Sequence, residues 1–539
     1  MRGGSPDPPR IRLELNRTAN MPAPAKSRAR RLGWILEALA LLALAALACW
    51  GTPSKFPPEP PAAQQTPEGA VRAYAIGRKS PPDYFTVQNA AGRIFRIGYD
   101  SGGDGKPDQF VNLDEIPLSE SLHFVLVLDG IPYSVADAYQ RKGGLRLFHP
   151  PSRVVSVYPA FTALALADAF ADAPCTAFEA LHYDHRLNKV VGGDLDYLSL
   201  ANEVWARNCD YRMATLWDPF AYLVPEKIFQ KEVREVRDLL GRKDRGVLVA
   251  YLVSTAGVAT REGEAGLIRV LDEADRLCEE LVWRTRGRAK ITIFSDHGHT
   301  MTPCKRIDLR SFLAARGWQV SDRLDGPRDV VLVEYGLVTT ALFAAKDRAG
   351  LAADLAACQG VRFASYPDGA AVAVRAAGGF AVVERRGDSY RYVAPQGDPL
   401  GLLPVFARLK AEGKLDADGF AADRPLFEAT ALHMYPDACD RLWRAFHGLA
   451  EETPDVIADL DWGWFAGNES LAKMLPGVAS THGDLERTSS TAAFMSTLGP
   501  VPPVFRNRDV PAVMQSLTGR PWPPFRARGG SRGVLTNGG

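Results

Sequence analysis

Short apolar runs separated by amphipathic segments fill the middle of this 539-residue chain. The runs with the length of a buried strand are 124–128, 154–158, 211–216, 247–253 and 291–294. Between them, 226–240 and 266–282 carry apolar residues at three- and four-residue spacing, which is typical of a helix with one buried face. Buried strands that alternate with helices predict an α/β fold, a three-layer sandwich around a mostly parallel sheet.

A different pattern follows from residue 330. Strand-like runs at 330–335, 371–375, 380–385 and 390–394 have little helix between them, and Gly378-Gly379 and Gly387-Asp388 suggest hairpin turns. We therefore divide the body into three parts. These are a first core part at 119–329, a β-rich insertion with a helical return at 330–450, and a second core part at 451–525.

The N-terminal segment has the pattern of an export signal or membrane anchor. A basic run at 26–31 precedes an apolar run at 32–50 that only Glu37 interrupts, and about 20 apolar residues suffice to cross a bilayer. Cys49 ends a lipobox-like Ala-Leu-Ala-Cys, so a lipidated Cys49 and an uncleaved helix both stay open. We expect an exported chain on the periplasmic side of the cell envelope, tethered to the membrane through 21–50.

The outer segments complete this division. Residues 1–20 are expected to be a disordered extension, 51–118 a Pro-rich linker and lead-in, and 526–539 a disordered tail. Six cysteines besides Cys49 permit disulfides in an exported chain, although buried free thiols are an equal alternative. The net charge of +1 argues against a dedicated nucleic-acid polymer binder, which would carry a strong basic excess.

Four polar features follow predicted strands or close the core. They are Asp129-Gly130, Thr162 in Tyr158-Pro159-Ala160-Phe161-Thr162, Asp296-His297 in Ser-Asp-His-Gly, and His482 in Thr481-His482-Gly483. Open α/β sheets bind their ligands at the carboxyl ends of the strands. Adjacent Asp and His side chains suit zinc or manganese. Taken singly, Asp129 also fits a strand cap, Thr162 a helix N-cap and His482 a surface histidine.

Taken in this order over residues 120–525, the features resemble the alkaline phosphatase superfamily, in its type I phosphodiesterase/nucleotide pyrophosphatase branch. The resemblance implies a hydrolase in which Thr162 is the nucleophile on a phosphate ester substrate. It implies that Asp129, Thr162, Asp296 and His297 hold a divalent metal, with zinc expected. His482 would sit at a companion metal or contact the phosphoryl group.

The chain departs from that branch at three positions. Ala256 and Thr260 occupy the places of an Asp and a His that hold the companion metal, and Ala165 that of a phosphate-contacting Asn. One metal site is therefore expected and the second is in doubt. A phosphodiesterase-like hydrolase, a single-metal phosphoryl transferase and a catalytically inactive envelope binding domain all stay open.

Other polar residues near these motifs have alternative interpretations. His182 and His185 flank Asp184 and would line the substrate cleft or a polar surface loop. His299, two residues after His297, would support a metal ligand or face solvent. Glu262, Glu264 and Asp272 lie on or before the following helix and are poorly placed to replace the missing ligands.

Overall fold

The computed structural model of the chain describes residues 54–57, 59–475 and 477–524, and a seven-stranded sheet lies at its centre. Its strands are β1 (Leu122–Leu128), β2 (Ser152–Val155), β3 (Tyr211–Arg212), β4 (Gly246–Leu252), β5 (Ala289–Phe294), β6 (Thr491–Ser496) and β7 (Val504–Arg506). They lie in the order β3-β4-β1-β5-β6-β2-β7. Strand β6 is antiparallel to both neighbours, and every other adjacent pair is parallel. The predicted mostly parallel α/β sheet is confirmed.

Helices cover both faces of the sheet. Those that frame its carboxyl edge are α1 (Tyr133–Arg141), α2 (Thr162–Ala169), α3 (Pro225–Leu240) and α4 (Ser254–Arg284). On one face, Leu126 packs with apolar residues of α1, α3 and α4. On the other, the Phe170 ring after α2 lies 6.2 Å from Phe294 and 5.3 Å from Trp522. All seven residues of β1 are buried, because both faces of this strand are covered.

Several elements differ from their predicted extents, and the strand predicted at 154–158 is Ser152–Val155 in the structure. The predicted strand 211–216 is wrong beyond Arg212, because the pairing with β4 ends there and a 3-10 turn, Thr215–Trp217, follows at the sheet edge. The helix predicted at 266–282 is the second part of α4, which begins earlier and is interrupted at Gly263 with φ of 60°.

The segment 51–118 contains a five-stranded antiparallel sheet that the sequence pattern does not predict. Its strands are Gln64–Thr66, Gly69–Tyr74, Tyr84–Gln88, Ile94–Tyr99 and Gln109–Asn112. The Phe56 ring lies 5.7 Å from Tyr74 and 6.0 Å from Trp283 of α4. The Tyr74 hydroxyl donates to Glu279 of the same helix. This sheet is thus packed against the core rather than extended away from it.

A second large sheet of nine strands lies in the later part of the chain. In spatial order its strands are Gln319–Val320, Asp329–Val333, Thr340–Ala345, Val456–Leu460, Val361–Asp368, Ala371–Ala376, Gly379–Arg386, Ser389–Gln396 and Ala421–Ala422. The turns at Gly378-Gly379 and Gly387-Asp388 join antiparallel neighbours. The sheet therefore extends on both sides of the range 330–450 that was assigned to the insertion.

Short elements connect these sheets. The remaining helices are Asp194–Leu198, Asp218–Leu223, Leu309–Ala315, Arg348–Ala356, Leu403–Ala411, Asp423–Thr430, Ala438–Phe446, Glu469–Met474, Arg487–Ser490 and Val510–Thr518. The remaining strands are Cys175–Ala177, Leu181–Asp184, Lys189–Gly192, Lys305–Arg306, Leu337–Val338, Ala450–Glu452 and Trp464–Gly467.

Parts of the sequence interpretation fall outside the described residues. These are the extension 1–20, the anchor 21–50 with Cys49, and the tail 526–539. Within the described part, no helix is both long and apolar enough to cross a bilayer. In that part Cys175, Cys278, Cys304, Cys358 and Cys439 are free thiols.

Arg441 of the helix Ala438–Phe446 joins the later region to the edge of the central sheet. Its buried guanidinium donates to the carbonyls of Pro436 at 3.1 Å, Leu485 at 3.0 Å and Val157 at 3.1 Å. Val157 leads into the segment that ends at Thr162, and Leu485 lies three residues after His482. One side chain thereby ties together the two loops that carry predicted site residues.

We predict that Arg441→Met lowers the free energy of unfolding by about 3 kcal/mol, because three buried carbonyls lose their donor. Urea unfolding followed by circular dichroism measures this. The matched control is Arg424→Met, which removes an exposed arginine paired with Glu428 on one helix and should cost about 0.5 kcal/mol. Equal losses in the two variants would contradict the role given to Arg441.

Candidate metal centre

The carboxyl ends of three parallel strands bring the central acidic residues together. Leu128 of β1 pairs with Leu252 of β4, and Val127 pairs with Phe294 of β5. Asp129 and Asp296 follow β1 and β5 within two residues, so the same register that builds the sheet places their carboxylates side by side. Both are buried, with exposed fractions of 2% and 0%.

Asp129, Asp296 and His297 form a compact set of metal-binding atoms. The Nε2 atom of His297 lies 3.2 Å from Oδ2 of Asp296 and 3.6 Å from Oδ1 of Asp129. One ligand atom from each residue lies within 4.8 Å of the others. Two carboxylates and an imidazole are a donor set that zinc and manganese accept.

Backbone hydrogen bonds fix the orientation of these side chains. The N–H groups of Gly130 and His297 donate to Oδ1 of Asp296, at 3.1 and 3.0 Å. The Tyr251 hydroxyl donates to Oδ2 of Asp129. The Nδ1 atom of His297 lies 2.9 Å from the Gly298 carbonyl, which only accepts, so Nδ1 carries the proton and Nε2 presents its lone pair to the carboxylates.

Thr162 lies beside this set as the first residue of α2. Its Oγ1 atom is 3.2 Å from Nε2 of His297 and 3.5 Å from Oδ2 of Asp129. The first N–H groups of a helix have no partner within the helix and attract anions. Thr162 is half-buried, whereas Asp129, Asp296 and His297 are fully covered. The hydroxyl therefore stands where a ligand from solvent would meet the buried acidic residues.

His482 closes the other side of the site. Its ring stacks on that of His297, with 3.8 Å between centroids and 14° between planes. Its Nδ1 atom lies 2.8 Å from the Ala160 carbonyl, so this nitrogen carries the proton and Nε2 is free to ligate. The structure thus brings His482 to the same cluster as Thr162, although the two are 320 positions apart in the chain.

His299 also belongs to the cluster, and because it is fully buried the solvent-facing alternative is wrong. Ligand atoms of His297, His299 and His482 lie within 4.8 Å of one another. The His299 ring fits because Gly130 has no side chain, since a Cβ atom there would lie 2.6 Å from the ring. The one available signal is the spacing of His297 and His299 after the same strand.

Burial shifts the protonation equilibria of all these groups. It raises the pKa of Asp129, and the neighbouring Asp296 carboxylate raises that pKa further. It also raises the pKa of Asp296. Burial lowers the pKa of His297 to about 4 and that of His482 to about 3, and it depresses the pKa of His299 strongly. The imidazoles are therefore neutral at pH 7, which is the form that binds metals.

Three buried atoms of the cluster have the unpaired state that a bound metal would relieve. Oδ1 of Asp129, Oδ2 of Asp296 and Nε2 of His299 have no hydrogen-bond partner among the described residues. Buried polar atoms in proteins are ordinarily paired, and leaving them unpaired is costly. A divalent cation would satisfy these atoms and neutralise the adjacent carboxylates, so the residues fit a metal.

The start of α4 lies against the site but supplies no metal ligand there. Thr255 Oγ1 donates to the Asp129 carbonyl at 2.6 Å, and the Thr260 carbonyl accepts from the Ala479 N–H at 2.7 Å. Ala256 and Thr260 are both buried. The segment of α4 that contacts the site thus places neither a carboxylate nor an imidazole at positions 256 and 260.

The other polar residues singled out from the sequence lie outside the described metal-binding groups. His182 and Asp184 belong to a separate two-stranded sheet, and His185 lies 3.8 Å from Asp455. Glu262 pairs with Arg269, and Asp272 accepts from Tyr139. At Ala165 the backbone carbonyl accepts from the Asn507 amide at 3.4 Å, and the same amide donates to the Asp296 carbonyl at 2.9 Å.

No family model and no curated protein matches the chain. The fold is similar to phosphonoacetate hydrolase from Sinorhizobium meliloti 1021 in complex with phosphonoformate, at 15% identity and a TM-score of 0.40, over 77% of this chain and 97% of that chain. It is similar to murine ectonucleotide pyrophosphatase/phosphodiesterase 5, at 13% identity and a TM-score of 0.41, over 75% and 97%.

We predict that Asp296→Asn sharply reduces the stabilisation by metal bound at the carboxylates. Zinc at 100 times its Kd should raise the free energy of unfolding of the wild type by about 2.7 kcal/mol. The variant, which lacks one carboxylate ligand, should gain little. Thermal unfolding with and without zinc measures the difference, and Asp388→Asn, which changes a fully exposed carboxylate, is the control. Equal gains in all three proteins would contradict the assigned site.

Proposed function

We propose that the chain is a metal-dependent phosphoric ester hydrolase, of phosphodiesterase type, in which Thr162 is the nucleophile. The observation that carries the proposal is the position of Thr162 Oγ1. It stands at a helix N-terminus, half-buried, and lies 3.2 Å from His297 and 3.5 Å from Asp129 in the buried group that also contains Asp296. A free threonine hydroxyl is a weak nucleophile, and this setting is one that activates it.

The residues divide the chemistry between them. Asp129, Asp296 and His297 would hold the divalent cation, which when bound lowers the pKa of a hydroxyl beside it and polarises a phosphoryl oxygen. Asp129 Oδ2 accepts hydrogen bonds from the hydroxyls of Thr162 and Tyr251. The bond from Thr162 directs its hydroxyl proton toward the carboxylate and leaves lone pairs of Oγ1 for phosphorus. The N-terminus of α2 attracts the negative phosphoryl oxygens.

The reaction then has two balanced halves. Oγ1 of Thr162 forms a bond to phosphorus while the bond to the ester oxygen breaks, and the alcohol leaves with a proton. Water then attacks phosphorus, the bond to Oγ1 breaks, and the threonine hydroxyl is restored. His482, which is half-buried and stacks on His297, would contact the phosphoryl group through Nε2.

A single-metal phosphoryl transferase is the second candidate, and Ala256 and Thr260 favour it. Without their ligating counterparts, the start of α4 gives no support to a second metal, and water is activated less readily in the second half. An acceptor alcohol would then take the phosphoryl group from Thr162 in place of water. The inactive binding domain remains the reading if Thr162 supports no turnover.

Thr162→Ala is expected to lower kcat for bis-nitrophenyl phosphate by at least about 10³-fold, because no other hydroxyl replaces Oγ1. Thr162→Ser should retain turnover. The assay follows nitrophenol release by the full-length zinc-loaded chain, with Thr66→Ala on an exposed strand as the control. Added glycerol would yield a glycerol phosphate ester if transfer dominates. Identical rates in wild type and Thr162→Ala would refute the nucleophile.

We also propose that the chain is exported and tethered to the membrane. The basic run and apolar segment at 21–50 support export and tethering at the cell envelope. The full chain, produced in bacteria, should pellet with membranes. Cys49→Ser separates the two tethers, because a lipid anchor is lost in this variant and a spanning helix is kept. Recovery of the wild-type chain in the soluble cytosolic fraction would contradict the proposal.

A further inference from the structure

We propose that His299 and His482 form a second cation position, which replaces the ligands missing at Ala256 and Thr260. The two Nε2 atoms would bind a zinc-like cation next to the one held by Asp129, Asp296 and His297. The role of this cation in catalysis rests on the function proposed above, whereas its binding does not.

Ligand nitrogens of His299 and His482 lie within 4.8 Å of each other, and each imidazole keeps one nitrogen for a cation. In His482, the Nδ1–H group donates to the Ala160 carbonyl, so the lone pair is on Nε2. In His299, Nδ1 lies 2.9 Å from the Ser480 hydroxyl, which can accept a hydrogen bond from Nδ1–H. His299 is fully buried, and its Nε2 atom has no partner among the described residues. Carbonyl or hydroxyl partners of this kind orient metal-binding histidines in proteins.

The His299–His482 pair is separate from the position held by Asp129 and Asp296, because the Nε2 atom of His297 can bind only one cation. That atom is 3.2 Å from Asp296 Oδ2 and 3.6 Å from Asp129 Oδ1, which assigns it to the carboxylates. The rings of His299 and His482 have centroids 5.2 Å apart, and their Nε2 atoms remain as two nitrogen donors for a second cation. Water or phosphoryl oxygens would complete the coordination.

Two local features place His299 in this position. Gly130, with φ of 71°, leaves the space that the ring fills, and any Cβ atom there would collide with Nε2. The Ala479 N–H donates to the Thr260 carbonyl at 2.7 Å, which holds the loop of Ser480 against α4. Thr260, which has no imidazole to bind a metal, thus positions through its backbone carbonyl the loop of Ser480. The Ser480 hydroxyl in turn contacts His299.

The donor chemistry predicts which metals bind. Two imidazole nitrogens favour zinc, cobalt, nickel and copper over magnesium and calcium. The carboxylate position accepts manganese as well. Because the His299–His482 pair offers only two protein ligands, it should fill after the carboxylate position.

Cobalt titration of the metal-free full-length chain tests this. Calorimetry and the visible absorption of bound Co²⁺ should show two ions per chain in the wild type, the second bound more weakly. His299→Gln should bind one ion, with its affinity for the second reduced at least about tenfold. His433→Gln, which changes a histidine that contacts the Gly401 carbonyl on the surface, is the matched control and should bind two.

Two further variants keep the test decisive if His299→Gln does not fold, as judged by circular dichroism. Ser480→Ala removes the Nδ1 partner and should weaken the second ion about tenfold. Asp296→Asn should weaken the first ion and retain the histidine pair. One ion per wild-type chain, or a second ion bound with unchanged affinity in His299→Gln, would overturn the inference.

Failure of the inference differs from failure of the proposed function. One cobalt per chain with Thr162-dependent turnover would overturn the second cation position and leave the hydrolase standing. Two cobalt ions, the second of them lost in His299→Gln, with equal rates in wild type and Thr162→Ala, would do the reverse.

Discussion

The site depends on the close approach of two buried carboxylates. Asp129 and Asp296 follow neighbouring parallel strands, and the sheet register leaves them no freedom to separate. Burial and mutual repulsion both disfavour their ionised forms, so the arrangement is unfavourable by itself. Backbone N–H groups and the Tyr251 hydroxyl hold them in place. Such a concentration of negative charge is stabilised when a cation binds, which makes it the physical reason for assigning a metal here.

Much of this site could be predicted because it follows from strand ends. Apolar runs identify β1 and β5, and the residues directly after them must share one edge of a parallel sheet. Thr162 and His482 could be assigned to the site only from the order of the motifs, because no local pattern shows that these two residues lie close together. Their geometry agrees with that order, while the role of each residue remains a prediction.

His299 and the N-terminal sheet show where the sequence does not suffice. The direction of the His299 ring depends on the space above Gly130 and on Ser480, which lies 181 positions further along the chain. The sheet at 64–112 is short-stranded and follows a Pro-rich stretch, so its pattern resembles a linker. It becomes part of the core through contacts such as those of Tyr74 with Glu279 of α4 and with Arg146.

The later region acts on the site through backbone positions rather than through a catalytic group. The Thr339 N–H donates to the His482 carbonyl at 2.8 Å, and the Ala160 N–H donates to the Gly483 carbonyl at 3.1 Å. Arg441 bonds to the carbonyls of Val157 and Leu485, which lie on the same two loops. The spacing of Thr162 and His482 is therefore set by residues far from both strands that carry the carboxylates. A change in the nine-stranded region would therefore alter the spacing of Thr162 and His482 while leaving the acidic pair intact.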